Sequence, residues 1–358
     1  MTGEGHQRWA TWAEIMAQPA IWRDWAGACD FEGHRDWIAA QGVDEVWFCG
    51  AGTSAYIGDI LVAGLEGQRG GPRLRAVPST DLVARPQDFL RGRRPLVVSF
   101  GRSGNSSESV GTLDALDALA PDAPRLNITC NGDSALGTRS GAETRVIVLP
   151  EATHDSGFAM TSSFSTMLLT ALMLFSDGPA DPGPLVRAAD EAGRVLPGLA
   201  EAAGPAPGRA VFLGTGPLAF AARESALKVM ELAAGRIPCL WDSILGFRHG
   251  PKSFVDDTTH IVALTGAEAP GARYEADLVE ELRAQFPRAR VTVIGPSGDV
   301  DLALPDGPAW GAALSVLFAQ VAAVIWAEEL GQNVDDPFEG QGTLTRVVSG
   351  VTLYEVAP

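Results

Sequence analysis

Runs of apolar, largely β-branched residues recur along the chain, and most of them end at a glycine or a hydroxyl residue. Val46-Trp47-Phe48-Cys49 leads into Gly50-Ala51-Gly52, and Val211-Phe212-Leu213 leads into Gly214-Thr215-Gly216 with an offset of 164. Leu96-Val97-Val98-Ser99-Phe100-Gly101 returns as Ile261-Val262-Ala263-Leu264-Thr265-Gly266 after 165 residues. Arg125-Leu126-Asn127-Ile128-Thr129 returns as Arg290-Val291-Thr292-Val293-Ile294 after the same interval. A fourth pair, 146–150 and 302–305, lies about 155 residues apart, and each member precedes a long stretch without charge, 157–176 and 307–327. One α/β unit repeated within the chain accounts for the pattern.

Between the apolar runs lie longer stretches with helical spacing, such as 106–119 and 274–285. Buried strands alternating with helices predict an α/β fold, each half an open, doubly wound and mainly parallel sheet with helices on both faces. Ligands then belong at the carboxyl ends of the strands. The two uncharged stretches are long enough to cross a bilayer. The first, however, opens on Thr161, Ser162, Ser163, Ser165 and Thr166, the second contains Ser315 and Gln320, and neither has flanking Lys or Arg anchors. They predict buried helices and no membrane partner. Pro/Gly-rich segments at 177–184 and 204–208 punctuate the middle around one helix. The expected organisation is an N-terminal helical segment, 1–40, packed outside the first sheet and carrying Trp9, Trp12, Trp22, Trp25 and Trp37; a first α/β domain, 41–185; a second, 186–340; and a tail, 341–358.

Charge narrows the function. The 358 residues carry 27 Lys plus Arg against 44 Asp plus Glu, a net charge of −17, which leaves no broad basic surface for a nucleic acid. A few local donors still suffice for one phosphate. Cys29, Cys49, Cys130 and Cys239 are too scattered for a disulfide framework or a zinc site, and the first residues lack the basic and apolar regions of a signal peptide. A cytoplasmic location is expected.

Three segments hold candidate chemistry. Gly50-Ala51-Gly52-Thr53-Ser54-Ala55 and Gly214-Thr215-Gly216-Pro217-Leu218-Ala219 satisfy a loose dinucleotide fingerprint, but the expected acidic ribose ligand is replaced by Gly70-Gly71-Pro72-Arg73-Leu74-Arg75. Residues 99–109, SFGRSGNSSES, place five hydroxyls and an arginine where a strand enters a helix. Capping needs one such residue, so the run points to a phosphate held by hydroxyls, backbone N–H groups and the helix dipole. Glu224, Lys228 and Glu231 share one helical face, and His249 stands between backbone-bending residues in LGFRHGPK, 245–252. His154, beside Asp155, is left open. A carboxylate, an imidazole and a phosphate site suit proton transfer between C1 and C2 of a sugar phosphate, a reaction that requires no metal or redox cofactor.

Taken together, GAGTSA, SFGRSGNSSES, the segment 156–169, the helix at 214–238 and LGFRHGPKSFVDD resemble a double sugar isomerase domain protein, most closely the tagatose-6-phosphate ketose/aldose isomerase type. Members of that type are implicated in galactosamine-6-phosphate deamination and isomerisation. The resemblance runs from Trp22 to the tail. It implies a flavodoxin-like five-stranded sheet per domain, a homodimer with its active site near the subunit interface, and a tail that packs at that site. Carried over by motif, Ser54, Arg102, Ser103 and Ser106 contact the phosphate, with Thr53 and Thr161 nearby. Glu231 is then the base that moves the proton, His249 assists ring opening from the partner subunit, and Lys228 and Glu224 support the base.

Two departures from the related isomerase half of glucosamine-6-phosphate synthase bear on chemistry. The tail lysine of that enzyme has no counterpart near Ser349, where Arg346 is the only basic neighbour, and Gly101 stands where that motif has serine. The first favours hydrolytic release of ammonia from an imine over synthase chemistry. The second is expected to shift phosphate contacts toward Arg102. The resemblance therefore implies an enzyme that converts galactosamine 6-phosphate to tagatose 6-phosphate and ammonia. The alternatives are a glucosamine-6-phosphate deaminase, a plain ketose/aldose isomerase, or a non-catalytic phosphosugar sensor.

Overall fold

The computed structural model describes residues 5–67, 70–139, 141, 143–342, 344–348 and 350–356. After two leading helices, α1 (Ala10–Ala28) and α2 (Phe31–Ala40), the first half runs β1 (Glu45–Cys49), α3 (Thr53–Leu65), β2 (Arg73–Ala76), α4 (Ser79–Ala84), α5 (Pro86–Leu90), β3 (Leu96–Gly101), α6 (Ser107–Leu119), β4 (Arg125–Thr129), α7 (Ala135–Thr138), β5 (Thr144–Val148) and α8 (Ser162–Phe175). Helix α9 (Gly183–Ala203) leads into β6 (Arg209–Gly214), α10 (Pro217–Leu232), β7 (Cys239–Ser243), β8 (Thr259–Leu264), α11 (Gly271–Gln285), β9 (Arg290–Gly295), β10 (Val300–Asp301) and α12 (Pro308–Glu329).

The duplication is visible in the topology. The first sheet is ordered β2-β1-β3-β4-β5 and the second, read from its other edge, β7-β6-β8-β9-β10, with every pairing parallel. That is the flavodoxin-like order, whose switch point lies between the first and third strands of each unit. The fourth sequence pair is matched less closely than the others: the strand forms at Val300–Asp301, ahead of the expected 302–305.

Side-chain alternation divides the faces of both sheets. Val46, Phe48, Val98 and Phe100 point into one large core, while Trp47, Cys49 and Val97 point to a smaller cluster under α4–α6. In the second sheet Phe212, Val262 and Leu264 join the same large core, and Val211, Leu213 and Ile261 face a third cluster under α11. The two sheets thus share one core, filled by α1, α3, α8, α9, α10 and α12. Residues 185 and 186, between which the sequence places its boundary, both lie inside α9.

The uncharged stretches became α8 and α12, whose apolar surfaces face protein. Every residue of α8 except its last is buried, and 94% of the most apolar window of α12 is buried. Of the leading helices, α2 packs on α8 of the first half, whereas α1 departs from the expectation: it packs mainly on α9 and also on α8 and α12, so it belongs to both halves. Polar matching explains this position. Asp335 of the second half accepts the backbone N–H groups of Ala10 (2.8 Å) and Thr11 (2.9 Å), the Gln18 amide donates to Gln320 (2.8 Å), and the Trp22 and Trp25 indoles donate to Ser165 and Thr170 of α8.

Candidate active site

The carboxyl ends of β1 and β3 open a crevice at the switch point of the first sheet, and glycines shape both loops. Gly52 adopts φ +56 as β1 turns into α3, and a side chain on Gly50 would collide with the Ser54 backbone at 2.5 Å. In the second loop Gly104 has φ +64 and lies so close to α7 that a Cβ would stand 2.1 Å from Ser134 Oγ. Asn105 Oδ1 accepts the Ala135 N–H (2.8 Å) and Asn131 donates to the Ser103 carbonyl (3.3 Å), which fixes this loop on the next one. At Gly101 a Cβ would meet Leu136 Cδ1 at 2.8 Å, so a serine there would require that side chain to shift.

Ser106 is the N-cap of α6, accepting the Ser109 N–H at 3.2 Å, and it also lines the crevice with Ser54, Ser103 and Arg102. Capping and ligand-facing roles therefore coincide. The cavity measures about 460 Å³. Its second wall is α10, through Leu227 and Glu231, and its third is the tail, residues 344–348. Ser349, where the tail lysine of the synthase falls, lies outside the described residues. A larger cavity of about 1000 Å³ adjoins β2 and contains none of the candidate residues.

Helix α10 carries three ionisable groups behind this wall, of which Glu231 reaches the cavity. The Lys228 ammonium is fully buried, 2.6 Å from Glu231 Oε2, 3.3 Å from Glu224 Oε1 and 3.0 Å from the Thr53 hydroxyl, which itself donates to Glu224 Oε1 at 3.2 Å. Thr53 begins α3, so this network joins the two halves of the chain. Burial pushes the Glu224 carboxyl up to about 7 although Lys228 pulls the other way, and its Oε2 has no hydrogen-bond partner. Burial also opposes the Lys228 charge, but the two carboxylates outweigh it and hold its pKa above the ordinary value. Glu231 alone of the three carries solvent exposure, 26%, and reaches the cavity.

Other candidates sit elsewhere. Thr161 is fully buried behind the cavity wall, its N–H and hydroxyl both given to Asp155 (2.8 and 3.0 Å), so it is unavailable to a ligand in the crevice. Arg102 lines the cavity, yet its guanidinium donates to the carbonyls of Gly157, Phe158 and Arg346. His249 is exposed on a turn after β7 and does not line the cavity of its own chain. Its neighbours Arg248 and Lys252 are both paired with Glu281. His154 lies near Arg346 and Arg102, and burial together with these charges lowers its pKa. Sequence reasoning missed Phe158, Met160 and Leu227 as wall residues, which carry no signal beyond apolarity.

The second half offers a comparison. Gly266, the counterpart of Gly101, donates its N–H to Glu275 Oε2 at 2.9 Å, and Glu275 is 3% exposed. A carboxylate from the chain itself thus occupies an anion-favouring position in the duplicated crevice, so this loop offers a ligand no free N–H at that point.

Two parallel flavodoxin-like sheets, duplicated in one chain and meeting at a hydroxyl-lined crevice, define the class of double sugar isomerase domain proteins. No family model matches the chain. It is 39% identical over 323 residues to the D-galactosamine-6-phosphate deaminase AgaS of Escherichia coli, covering 85% of this chain and 84% of that protein. To the D-galactosamine-6-phosphate deaminase AgaS of Shewanella sp. strain ANA-3 it is 35% identical over 365 residues, covering 95% and 90%. The crystal structure of tagatose-6-phosphate ketose/aldose isomerase from Escherichia coli superposes with a TM-score of 0.86 at 33% identity, covering 99% of this chain and 98% of that one. The chain belongs to this family of galactosamine-6-phosphate deaminases and tagatose-6-phosphate ketose/aldose isomerases.

Proposed function

We propose that the chain is an amino-sugar-phosphate deaminase/isomerase that converts galactosamine 6-phosphate and water to tagatose 6-phosphate and ammonia. The observation that carries this reading is the buried Glu224–Lys228–Glu231 set, tied to Thr53 across the two halves and presenting one carboxyl group to a cavity rimmed by Ser54, Ser103 and Ser106. The phosphate sits on those hydroxyls at the starts of α3 and α6, where helix dipoles favour an anion. Remote binding of this kind orients the reacting carbons.

In the open-chain sugar Glu231 removes the proton from C2, giving an enolamine, and returns it to C1. The product is a C2 imine, and addition of water there releases ammonia and leaves the ketose. Lys228 holds the Glu231 carboxyl in place, and Thr53 and Glu224 hold Lys228. His249 of the partner subunit moves the proton that opens the ring. That assignment requires a homodimer, and the exposure of His249, of Leu245 on the same turn and of Met230 on α10 in the single chain is what supports it. A cytoplasmic location fits a substrate phosphorylated inside the cell.

The test is ammonia release from galactosamine 6-phosphate and glucosamine 6-phosphate in parallel, with tagatose 6-phosphate formation followed in the same samples. Ammonia from the galacto substrate alone is expected. Interconversion of sugar phosphates without ammonia would replace the deaminase reading by a plain isomerase.

A further inference from the structure

Two guanidinium groups hold the tail against the cavity, and they do so reciprocally. Arg346 donates through Nη1 to the carbonyls of Asp155 (3.1 Å) and Ser156 (2.6 Å). Arg102 donates through Nη1 to the carbonyls of Gly157 (3.4 Å) and Phe158 (3.3 Å), and through Nη2 to the carbonyl of Arg346 itself (2.8 Å). Four consecutive carbonyls, 155–158, thus carry two cations. The loop beneath them is fixed from behind. Glu14 accepts the N–H groups of Ser156 (2.6 Å) and Gly157 (3.2 Å), and the Asp155 carboxylate accepts those of Thr161, Ser162 and Ser163 at the start of α8.

Carbonyl oxygens orient a guanidinium without cancelling its charge. Among the described residues neither Arg102 nor Arg346 forms an ion pair. Burial works against the Arg102 charge, Arg346 beside it adds repulsion, and the carboxylates of Asp155 and Glu231 offset part of this. The clasp holds two like charges side by side at the wall of the cavity, and the tail residues Leu344 and Val348 are half exposed (55% and 50%).

We propose that a phosphate monoester completes this clasp: its dianion supplies the direct ion-pair partner that neither Arg102 nor Arg346 has among the described residues and so fastens the strap 344–348 over the bound sugar. Arg346 is a positioning residue that acts through the tail backbone, and Arg102 links the phosphate loop to the strap. The proposal rests on the reading of this cavity as a phosphosugar site. Anion binding and strap closure are then one coupled equilibrium, in which each favours the other to the same degree.

Trypsin reports the equilibrium directly, because its cut after Arg346 requires the strap to lift. Cleavage of the Arg346–Val347 bond in the full chain is followed by mass spectrometry in inorganic phosphate and in chloride at equal ionic strength, and inhibition of ammonia release by phosphate is measured alongside. Phosphate is expected to inhibit competitively and to slow cleavage about tenfold, within the usual range of coupling between sites. Arg102→Ala is expected to lose that protection. Arg346→Lys keeps both the charge and the trypsin site on an exposed residue but not the planar fork, so basal cleavage rises and KM rises more than kcat falls. Competitive inhibition with unchanged cleavage in the native protein would overturn the clasp while leaving the phosphate site standing. Neither inhibition nor protection would remove both.

Discussion

Glu224 is a carboxyl group with no route to water, and its titration is the sharpest residue-level consequence of the site. Its pKa is pushed up from 4.5 to about 7 by burial, so between those values the folded chain holds a proton that the unfolded chain releases. The stability this group contributes is present below about 4.5 and is lost as the pH rises through about 7. A melting-temperature series from pH 4.5 to 8 on the native protein and on Glu224→Gln should show a difference curve that falls with pH across that window; a flat difference would mean that Glu224 is ionised throughout. For Glu231 the expectation is kinetic. Glu231→Gln should lower kcat by about 10²- to 10⁴-fold, the usual contribution of a positioned base, with KM changed far less. Turnover retained in that variant would move the base elsewhere. The charged trio was legible in the sequence because i, i+4 and i+7 spacing fixes one helical face. The engagement of Arg102 was not, since its partners are backbone carbonyls, which no residue type announces. Thr161 looked available for the same reason: nothing local shows that its hydroxyl turns back to a carboxylate six residues earlier.

Strands were the most legible elements, because buried parallel strands are continuous apolar runs; β3 and β4 fall on the segments read from sequence, and β1, β6, β8 and β9 differ only at their ends. Strand β10 was misplaced because a two-residue edge strand has too few positions to carry a pattern. Helix α8 shows how one element can depend on a single side chain. It begins with three hydroxyl residues, and Asp155 accepts the backbone N–H and the hydroxyl of each of them while staying 1% exposed. Removing that carboxylate would strand buried donors at the start of a helix whose residues are all buried but the last, where water cannot replace it. Asp155→Ala is therefore expected to cost at least about 2 kcal/mol in urea unfolding, more than an ordinary exposed cap. A loss within the error of the measurement would show that the hydroxyls find other partners. Because the carbonyls of the same loop hold Arg102 and Arg346, the variant should also raise KM.

Duplication gave this molecule two crevices, but the residues that face them have diverged. In the first, Ser54 and Ser103 line the cavity; in the second, Glu275 already accepts the Gly266 N–H. The halves meet at equivalent places, since Asp59 of α3 pairs with Arg223 of α10 (2.9 Å), the residue 164 positions later. A shared core and a paired seam predict one cooperative thermal transition rather than two. In the single chain His249 is exposed and absent from its own cavity wall. If the partner subunit supplies it, Glu231 and His249 of one site come from different chains, and defects in them are separable. Glu231→Gln and His249→Ala should each be inactive as homodimers. Subunits mixed in equal amounts and allowed to exchange would form heterodimers as half of the population, each with one site carrying both defects and one carrying neither, so about one quarter of native activity should return. Exchange confirmed by mass spectrometry without any recovery would place His249 outside the catalytic site of the partner, and ring opening would then fall to a group already lining the cavity.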